Sequence, residues 1–368
     1  KGWITRIACG CDYDDEGLPD AGLLTHPLGI SDQMTPLSEL KKSVFKKFRL
    51  HVAPIFEGAK NYPWLNKPQA LVHWLKFADP PVTQTIVALI DPDFIFLRPL
   101  VVSQSGLDII SSTKVPVREL NSSVTRGHGV GQTYGIGHNW LKHVTAVCGQ
   151  DSNAKHFSEE EADRYFQVGP PYILHLDDWK ALAPLYTLFM KRMVKITGPG
   201  ILTDMYGYAM AAAHLNIIHT RLDHFMVSDT GSRDGGGEAW KWANPSKWDP
   251  CKGQLTTEDG KQMPTFLHLC QNIYLEEPNI DESWMFHKGH VPPNILQCDL
   301  PILKTPPSTH LQHQLALPEN KDKTNYKKHR AAWLHCMIFP SLNNALVEYK
   351  QQFCPAGFNT KKQFKLIH

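Results

Sequence analysis

The chain has 368 residues, of which 42% are hydrophobic, enough to bury the core of one large α/β domain or two ordinary domains. Its 38 Lys and Arg residues nearly balance its 36 Asp and Glu residues, so the net charge of +2 gives no electrostatic case for nucleic acid as a partner. The sequence contains no apolar run of about 18 residues and no signal peptide at Lys1, so we expect no transmembrane span within it.

The chain contains eight cysteines, and none of them forms a Cys-x-x-Cys pair, which argues against a zinc ribbon. An even number of scattered cysteines fits disulfides made in a secretory compartment. Asn121-Ser122-Ser123 is a single N-glycosylation sequon, which points the same way. These features favour a secretory lumen over the cytosol.

Predicted strands and helices alternate in the first part of the chain. The pattern predicts strands at residues 3–8 and 85–90, a Gly-, Asp- and Pro-rich loop at residues 10–34, and helices at residues 67–76 and 139–147. The prediction of a helix at residues 67–76 rests on Pro68, which suits a first helical turn, and on apolar residues that recur on one face. The Gly-rich residues 127–137 lack the Gly-x-Gly-x-x-Gly spacing of a Rossmann phosphate loop.

The second part continues this alternation. The pattern predicts strands at residues 172–176 and 265–269, helices at residues 178–196, 201–215 and 325–352, and a Gly- and Trp-rich surface loop at residues 229–250. We expect Asp177 to cap the helix at residues 178–196 and Pro184 to kink or restart it. We expect the helical tail to pack on the outside of the protein, split in two at Pro340. Alternating strands and helices predict an α/β fold.

Asp91 and Asp93 come directly after the predicted strand at residues 85–90, on either side of Pro92. In an open α/β sheet, ligands bind at the carboxyl ends of strands. Hard divalent cations prefer carboxylate oxygens, and Mg²⁺ or Mn²⁺ bridges protein carboxylates to substrate phosphates. An Asp-x-Asp sequence is also common in turns and helix caps, which is the alternative interpretation. Its position after an apolar strand favours a metal site for a phosphorylated ligand.

Two more residues are candidates for the same site. His268 lies in an apolar strand, where it can fill an open position of a metal held by two Asp residues. The alternative is a core histidine with satisfied hydrogen bonds. Asp204 stands early in a predicted helix among apolar and aromatic neighbours, so it either faces a cleft or is a surface acid stabilised by the helix dipole.

Seven segments, in order, resemble motifs of one plant and green-algal family, the hydroxyproline O-arabinosyltransferases and peptidyl-serine α-galactosyltransferases. They are residues 2–7 (GWITRI), 66–70 (NKPQA, followed by Trp74-Leu75), 90–95 (IDPDFI), 132–135 (QTYG), 175–179 (HLDDW), 203–208 (TDMYGY) and 266–268 (FLH). Asp204 stands where the family has Glu, which is one methylene longer. The family also has an earlier strand with a Trp-Gln segment, and we expect it, with the uracil-binding residues, to precede Lys1.

The resemblance implies a GT-A-type, Rossmann-like α/β/α sandwich with a mixed central sheet over residues 1–300, and a largely helical extension packed on it at residues 301–368. It implies a metal-dependent retaining enzyme that moves a sugar from a UDP-sugar to hydroxyproline or serine hydroxyls of a secreted or cell-wall glycoprotein. The implied cofactor is Mn²⁺ or Mg²⁺. The implied compartment is the Golgi or ER lumen, with membrane attachment only through an anchor outside this chain.

The resemblance also implies roles for individual residues. Asp91, Asp93 and His268 are the expected metal ligands, with Asp91 partly on the nucleotide. Asn66 and Lys67 are expected to contact the donor, and a solvated Lys67 is the alternative.

Asp204 is the candidate catalytic residue, as a nucleophile, a stabiliser of an oxocarbenium-like centre or an acceptor-positioning group. Two functions of other classes stay open beside this one: a non-catalytic carbohydrate-binding relative and a metal-dependent phosphohydrolase. A phosphohydrolase would need further carboxylates near Asp91 and Asp93, and none follows with clear spacing.

Overall fold

The structure is a computed structural model of the chain. It describes residues 4–9, 48–54, 56, 58–59, 61–97, 99–100, 123–200, 202–222, 225–228, 230–231, 240, 264–275, 284–292, 294–315, 323–359 and 363–366. The predicted loop at residues 10–34 and most of the predicted loop at residues 229–250 lie outside these ranges.

Strands and helices alternate along the described residues, as predicted. The strands are β1 (Ile4–Cys9), β2 (Phe48–Ala53), β3 (Ile86–Leu89), β4 (Phe94–Phe96), β5 (His128–Thr133), β6 (Val168–His175), β7 (Ile218–Leu222), β8 (Met226–Val227), β9 (Phe266–His268), β10 (Ile273–Leu275), β11 (Trp284–Phe286), β12 (Ile302–Leu303) and β13 (Gln363–Phe364). The α-helices are α1 (Asn66–Phe77), α2 (Val144–Cys148), α3 (Glu159–Tyr165), α4 (Leu176–Thr197), α5 (Thr203–His214), α6 (Ser308–Leu315) and α7 (Lys323–Phe353). The α/β class is confirmed.

A four-stranded mixed sheet has the order β3-β6-β5-β7. β3 and β5 both run antiparallel to β6, and β7 runs parallel to β5. A second sheet has the order β4-β9-β8, in which β4 is antiparallel and β8 parallel to β9. The remaining strands form three pairs, β1 with β2, β10 with β11 and β12 with β13.

Strand β6 begins earlier than the predicted strand at residues 172–176, because it continues through Pro170 and Pro171. Proline cannot donate a hydrogen bond to a neighbouring strand, so it is confined to edges and bulges. The pairing of β5 with β6 shifts register between Gly131 and Gln132, opposite these prolines. The bulge therefore accommodates a sequence that strand preferences alone exclude.

Helices α4 and α5 cover the four-stranded sheet. The aromatic rings of Tyr172 in β6 and Tyr208 in α5 stack at 3.7 Å between centroids, and Trp179 in α4 donates its indole N–H to the carbonyl of Val87 in β3 at 2.9 Å. A Cβ atom on Gly207 would lie 3.0 Å from the Cβ of Met190, so glycine allows α5 to approach α4 closely. Burial of these aromatic rings supplies much of the core's stability.

Two predictions about helix ends and breaks are wrong, the cap at Asp177 and the split at Pro340. The N-cap of α4 is His175, whose Nδ1 accepts the backbone N–H of Asp177 at 3.1 Å, so Asp177 lies inside the first turn. Helix α7 continues through Pro340 without a split. Helix α4 continues through Pro184 without a restart, and a kink at Pro184 stays a prediction. A proline removes one backbone hydrogen bond, and the apolar contacts of the buried faces on both sides outweigh that loss.

Helix α7 contributes buried side chains to the packing of the protein. Its residues Leu334, Ile338 and Phe339 are fully buried in a second apolar cluster, which also contains Leu267 of β9 and Phe286 of β11. A disulfide between Cys298 and Cys354 ties the end of α7 to the segment before β12, and Cys336 is also disulfide-bonded. None of the helices in the described part of the chain has the length and apolar character needed to cross a bilayer.

Candidate metal centre

The Asp-x-Asp motif lies where the two sheets meet. Asp91 and Asp93 connect β3, in the four-stranded sheet, to β4, in the three-stranded sheet. Strand β4 pairs with β9 so that Phe94 lies opposite His268, and the backbone N–H of Leu269 donates to the carbonyl of Asp93 at 3.0 Å. This antiparallel pairing places the histidine beside the motif, although the two are far apart in the sequence.

The side chains of Asp91, Asp93 and His268 converge. Nε2 of His268 lies 3.3 Å from Oδ1 of Asp93 and 3.8 Å from Oδ2 of Asp91. One ligand atom from each residue lies within 4.8 Å of the others, and no other such group occurs among the described residues. Two carboxylates and an imidazole fit Mn²⁺ or Mg²⁺, with open positions left for phosphate oxygen. The prediction that these three residues come together is confirmed.

His268 is held in the orientation that a metal ligand needs. Its Nδ1 lies 3.2 Å from the hydroxyl of Tyr134, while its Nε2 faces the two carboxylates. Ligating histidines commonly use their second ring nitrogen in this way, which fixes the ring and its tautomer. Burial acts to lower the pKa of His268, but hydrogen bonds to Asp93 and Cys270 raise it to about 9.

Gly169 makes room for Tyr134. A Cβ atom at residue 169 would lie 2.2 Å from Cδ2 of the Tyr134 ring, far inside van der Waals contact. The ring therefore packs directly over the backbone of β6, with its hydroxyl turned towards His268. Only glycine permits this close approach.

Lys67, in the first turn of α1, bridges two carboxylates. Its Nζ lies 2.8 Å from Oδ1 of Asp91 and 2.7 Å from Oδ2 of Asp204. Burial acts to lower the pKa of Lys67, but the charges of Asp204 and Asp91 raise it well above the usual range. The alternative of a solvated lysine is therefore wrong. Asn66 precedes Lys67 as the first residue of α1 and is half-buried, and its contact with a donor stays a prediction.

Asp204, in the first turn of α5, is 6% exposed, so it is not a surface acid. Its Oδ2 accepts a hydrogen bond from Lys67, and its Oδ1 accepts one from the hydroxyl of Tyr186 in α4. Burial, together with the carboxylates of Asp204 and Asp91, raises the pKa of the Tyr172 hydroxyl. Within the described residues that hydroxyl is buried without a hydrogen-bond partner.

Lys288 completes the centre. It follows β11 in a short 3₁₀ turn (Lys288–His290), and its Nζ donates a hydrogen bond to Oδ2 of Asp93. Burial acts to raise the pKa of Asp93, but His268 and Lys288 lower it well below the usual range. Two lysines thus flank the metal motif, Lys67 at Asp91 and Lys288 at Asp93.

Sequence reasoning missed three residues of this centre. Lys288 lies outside every recognised motif, and Tyr186 lies in the middle of a helix whose pattern indicated only an apolar face. Tyr134 belongs to the segment at residues 132–135, but nothing local connects it to His268. The available signal for a close backbone approach was a glycine in the neighbouring strand, Gly169, over which the Tyr134 ring packs.

Comparison with known proteins supports the family resemblance of the sequence motifs. The chain is 24% identical over 179 residues to a peptidyl serine alpha-galactosyltransferase from Arabidopsis thaliana. The aligned region covers 45% of this chain and 19% of that relative's length. No protein-family model matches the chain, and no solved structure matches it. The chain resembles the peptidyl-serine α-galactosyltransferase and hydroxyproline O-arabinosyltransferase family, as its sequence motifs indicated.

Proposed function

We propose that this chain is a divalent-metal-dependent glycosyltransferase that moves a sugar from a UDP-sugar to hydroxyproline or serine hydroxyls of a secreted glycoprotein. The observation that carries the proposal is the convergence of Asp91, Asp93 and His268 at the end of β3. The printed name of the Arabidopsis relative supports a glycosyl transfer reaction. The proposal includes a GT-A-type fold over residues 1–300 with the extension at residues 301–368 packed on it, retention of configuration, and a Golgi or ER location.

In this proposal Asp93 and His268 bind the cation directly, and Asp91 shares its carboxylate between the cation and Lys67. These donor atoms fit Mn²⁺ or Mg²⁺, which when bound supplies electrostatic stabilisation of the departing diphosphate. Tyr134 keeps Nε2 of His268 turned towards the carboxylates. The protein's contribution is thus a set of oxygen and nitrogen ligands that the fold brings together.

Lys67 and Asp204 act together beside the cation in this proposal. Transfer breaks the bond between the anomeric carbon and a phosphate oxygen, so positive charge develops on the sugar and negative charge on the phosphate. Asp204 has both oxygens engaged, by Lys67 and Tyr186. That arrangement favours Asp204 as a stabiliser of positive charge over Asp204 as a nucleophile, because hydrogen bonds from an ammonium group and a hydroxyl reduce the nucleophilicity of the carboxylate.

The first experiment measures binding of UDP in the presence and absence of Mn²⁺ by calorimetry. We expect binding that depends on Mn²⁺, and loss of Mn²⁺-dependent UDP release from a UDP-sugar in the Asp93→Asn variant. The matched control is Asp151→Asn, which changes an exposed carboxylate. Undiminished turnover in Asp93→Asn would contradict the proposal, and wild-type protein that fails to bind UDP with Mn²⁺ would favour a non-catalytic carbohydrate-binding protein.

The donor and acceptor need a separate experiment. UDP-arabinofuranose, UDP-galactose and UDP-glucose are each offered with hydroxyproline peptides and with serine peptides, and the glycosylated product is detected by mass spectrometry. We expect one donor and one acceptor to give product in preference to the others. Arabinosylated hydroxyproline would identify one branch of the family, and galactosylated serine would identify the other.

A further inference from the structure

Lys288 differs from Lys67 in how firmly it is held. The side chain of Lys67 is 17% exposed and contacts two carboxylates, whereas that of Lys288 is 48% exposed and contacts Asp93. A lysine side chain has a flexible four-carbon stem that can turn its ammonium group towards a new partner. Lys288 is therefore the flanking cation that can move when the centre binds a ligand.

The hydrogen bond between Lys288 and Asp93 uses the carboxylate that is expected to hold the metal. A cation bound at Asp93 would neutralise the negative charge that attracts Lys288. Two positive charges in contact with one carboxylate repel each other. The electrostatic energy therefore falls when the ammonium group of Lys288 moves to a nearby anion. A phosphate group bound beside the cation would be such an anion.

The charges of the centre indicate which anion this is. With His268 neutral, as a metal ligand must be, the carboxylates of Asp91, Asp93 and Asp204 carry three negative charges and Lys67 and Lys288 carry two positive ones, which leaves one net negative charge. A divalent cation changes that balance to one net positive charge. Without Lys288 the filled centre would be neutral, so this lysine supplies the excess charge that favours a diphosphate.

We propose that Lys288 binds the diphosphate of the nucleotide, exchanging its bond to Asp93 for one to a phosphate oxygen when the metal binds; this inference rests on the proposed function. In transfer, the bond between the sugar and the phosphate oxygen breaks, and its electron pair stays on that oxygen. The diphosphate thereby gains one negative charge, and Lys288 stabilises it by donating an N–H without giving up a proton. Lys288 is a binding residue that acts more strongly on the leaving group than on the intact donor.

The test compares wild-type protein with Lys288→Met by calorimetry, first with Mn²⁺ alone and then with UDP or inorganic pyrophosphate at saturating Mn²⁺. We expect the affinity for both phosphate compounds to fall by about tenfold or more, the loss of one charged hydrogen bond. We expect the affinity for Mn²⁺ alone to stay the same or rise, because Lys288 no longer competes for Asp93. Lys288→Arg, which keeps the charge, is expected to retain most of the affinity for UDP.

Lys180→Met, which removes an exposed lysine of α4, is the matched control and is expected to change neither affinity. Thermal unfolding of each variant checks that it is folded. Affinity for UDP and pyrophosphate equal to that of the wild type would overturn the inference, as would a parallel loss of Mn²⁺ and UDP binding, which indicates a structural role. Wild-type protein that does not bind UDP with Mn²⁺ would instead overturn the proposed function, and this inference with it.

Discussion

Lys67 and Asp204 form an ion pair that is largely shielded from solvent, with Nζ of the lysine 2.7 Å from Oδ2 of the aspartate. The two residues are 137 positions apart in the sequence, and each lies in the first turn of its helix, α1 or α5. Lys67 also contacts Asp91 at 2.8 Å. The pair thus connects the candidate catalytic carboxylate to the metal motif and joins two helices to the end of β3.

Replacing Lys67 with Met should destabilise the protein. The change leaves the Asp204 carboxylate buried without its cationic partner, and breaking a buried pair in this way typically costs about 3–5 kcal/mol. Urea unfolding followed by circular dichroism measures the free energy of unfolding. The double variant Lys67→Met with Asp204→Asn should recover part of the loss, because it removes the unpaired charge as well.

Lys76→Met is the control for that experiment, since Lys76 is an exposed residue of the same helix. We expect it to change the free energy of unfolding by no more than about 0.5 kcal/mol. A cost for Lys67→Met as small as that of the control would show that the ion pair does not stabilise the fold.

Asp204→Asn should separate binding from chemistry. Asparagine keeps a side chain of the same shape but removes the negative charge, so we expect the rate of sugar transfer to fall about 10²–10³-fold. Mn²⁺-dependent binding of UDP should stay close to that of the wild type. Asp204→Glu should retain more activity than Asp204→Asn because it keeps a carboxylate. A glycosyl adduct on Asp204, detected by mass spectrometry of a trapped reaction, would instead identify it as a nucleophile and refute the electrostatic role.

Tyr134→Phe should weaken the metal site without weakening the fold. The change removes the hydroxyl that contacts Nδ1 of His268 and leaves the ring over Gly169 in place. Loss of such a partner of a ligating histidine typically lowers metal affinity or activity by about 10–100-fold. Titration with Mn²⁺ measures the affinity, and Tyr165→Phe, outside the site, is the control. Equal Mn²⁺ affinity in the two variants would mean that Tyr134 does not orient His268.

The stability of the protein should fall in weak acid because of two buried histidines. Burial lowers the pKa of His335 to about 4 and that of His219 to about 3. Below pH 6.5, the usual pKa of histidine, the unfolded chain takes up protons that the folded protein does not. Each histidine then reduces the free energy of unfolding by about 1.4 kcal/mol per pH unit, down to its own folded-state pKa.

Urea unfolding from about pH 7.5 to about pH 4.5, a range that spans the usual histidine pKa of about 6.5, checks this prediction. His335 stacks on Phe339 and its Nε2 lies 3.1 Å from the carbonyl of Ile273, so His335→Gln keeps a side-chain N–H donor for that carbonyl. We expect this variant to be less stable than the wild type at neutral pH but to lose less stability on acidification. Stability curves that run parallel for the two proteins would show that His335 does not contribute to the pH dependence.

The sequence predicted the positions of most elements and the three side chains that converge at the candidate metal site. Apolar runs bounded by polar residues located β3 and β9, and the Asp-x-Asp spacing at the end of β3 indicated the site. Local patterns were less reliable for helix boundaries. His175 rather than Asp177 caps α4. Helices α4 and α7 continue through their prolines, because the free energy of burying a helix face exceeds the cost of one missing hydrogen bond.

By itself, the sequence determined which residues have metal-binding chemistry and which family the chain resembles, because both depend on residue types at short spacings. The tertiary structure alone decided that Lys67 bridges Asp91 and Asp204, that Lys288 contacts Asp93, and that Tyr134 holds His268. These contacts join residues of different strands and helices, and strand pairing and the packing of α1, α4 and α5 bring them together. The spacing of residues along the chain does not predict such contacts.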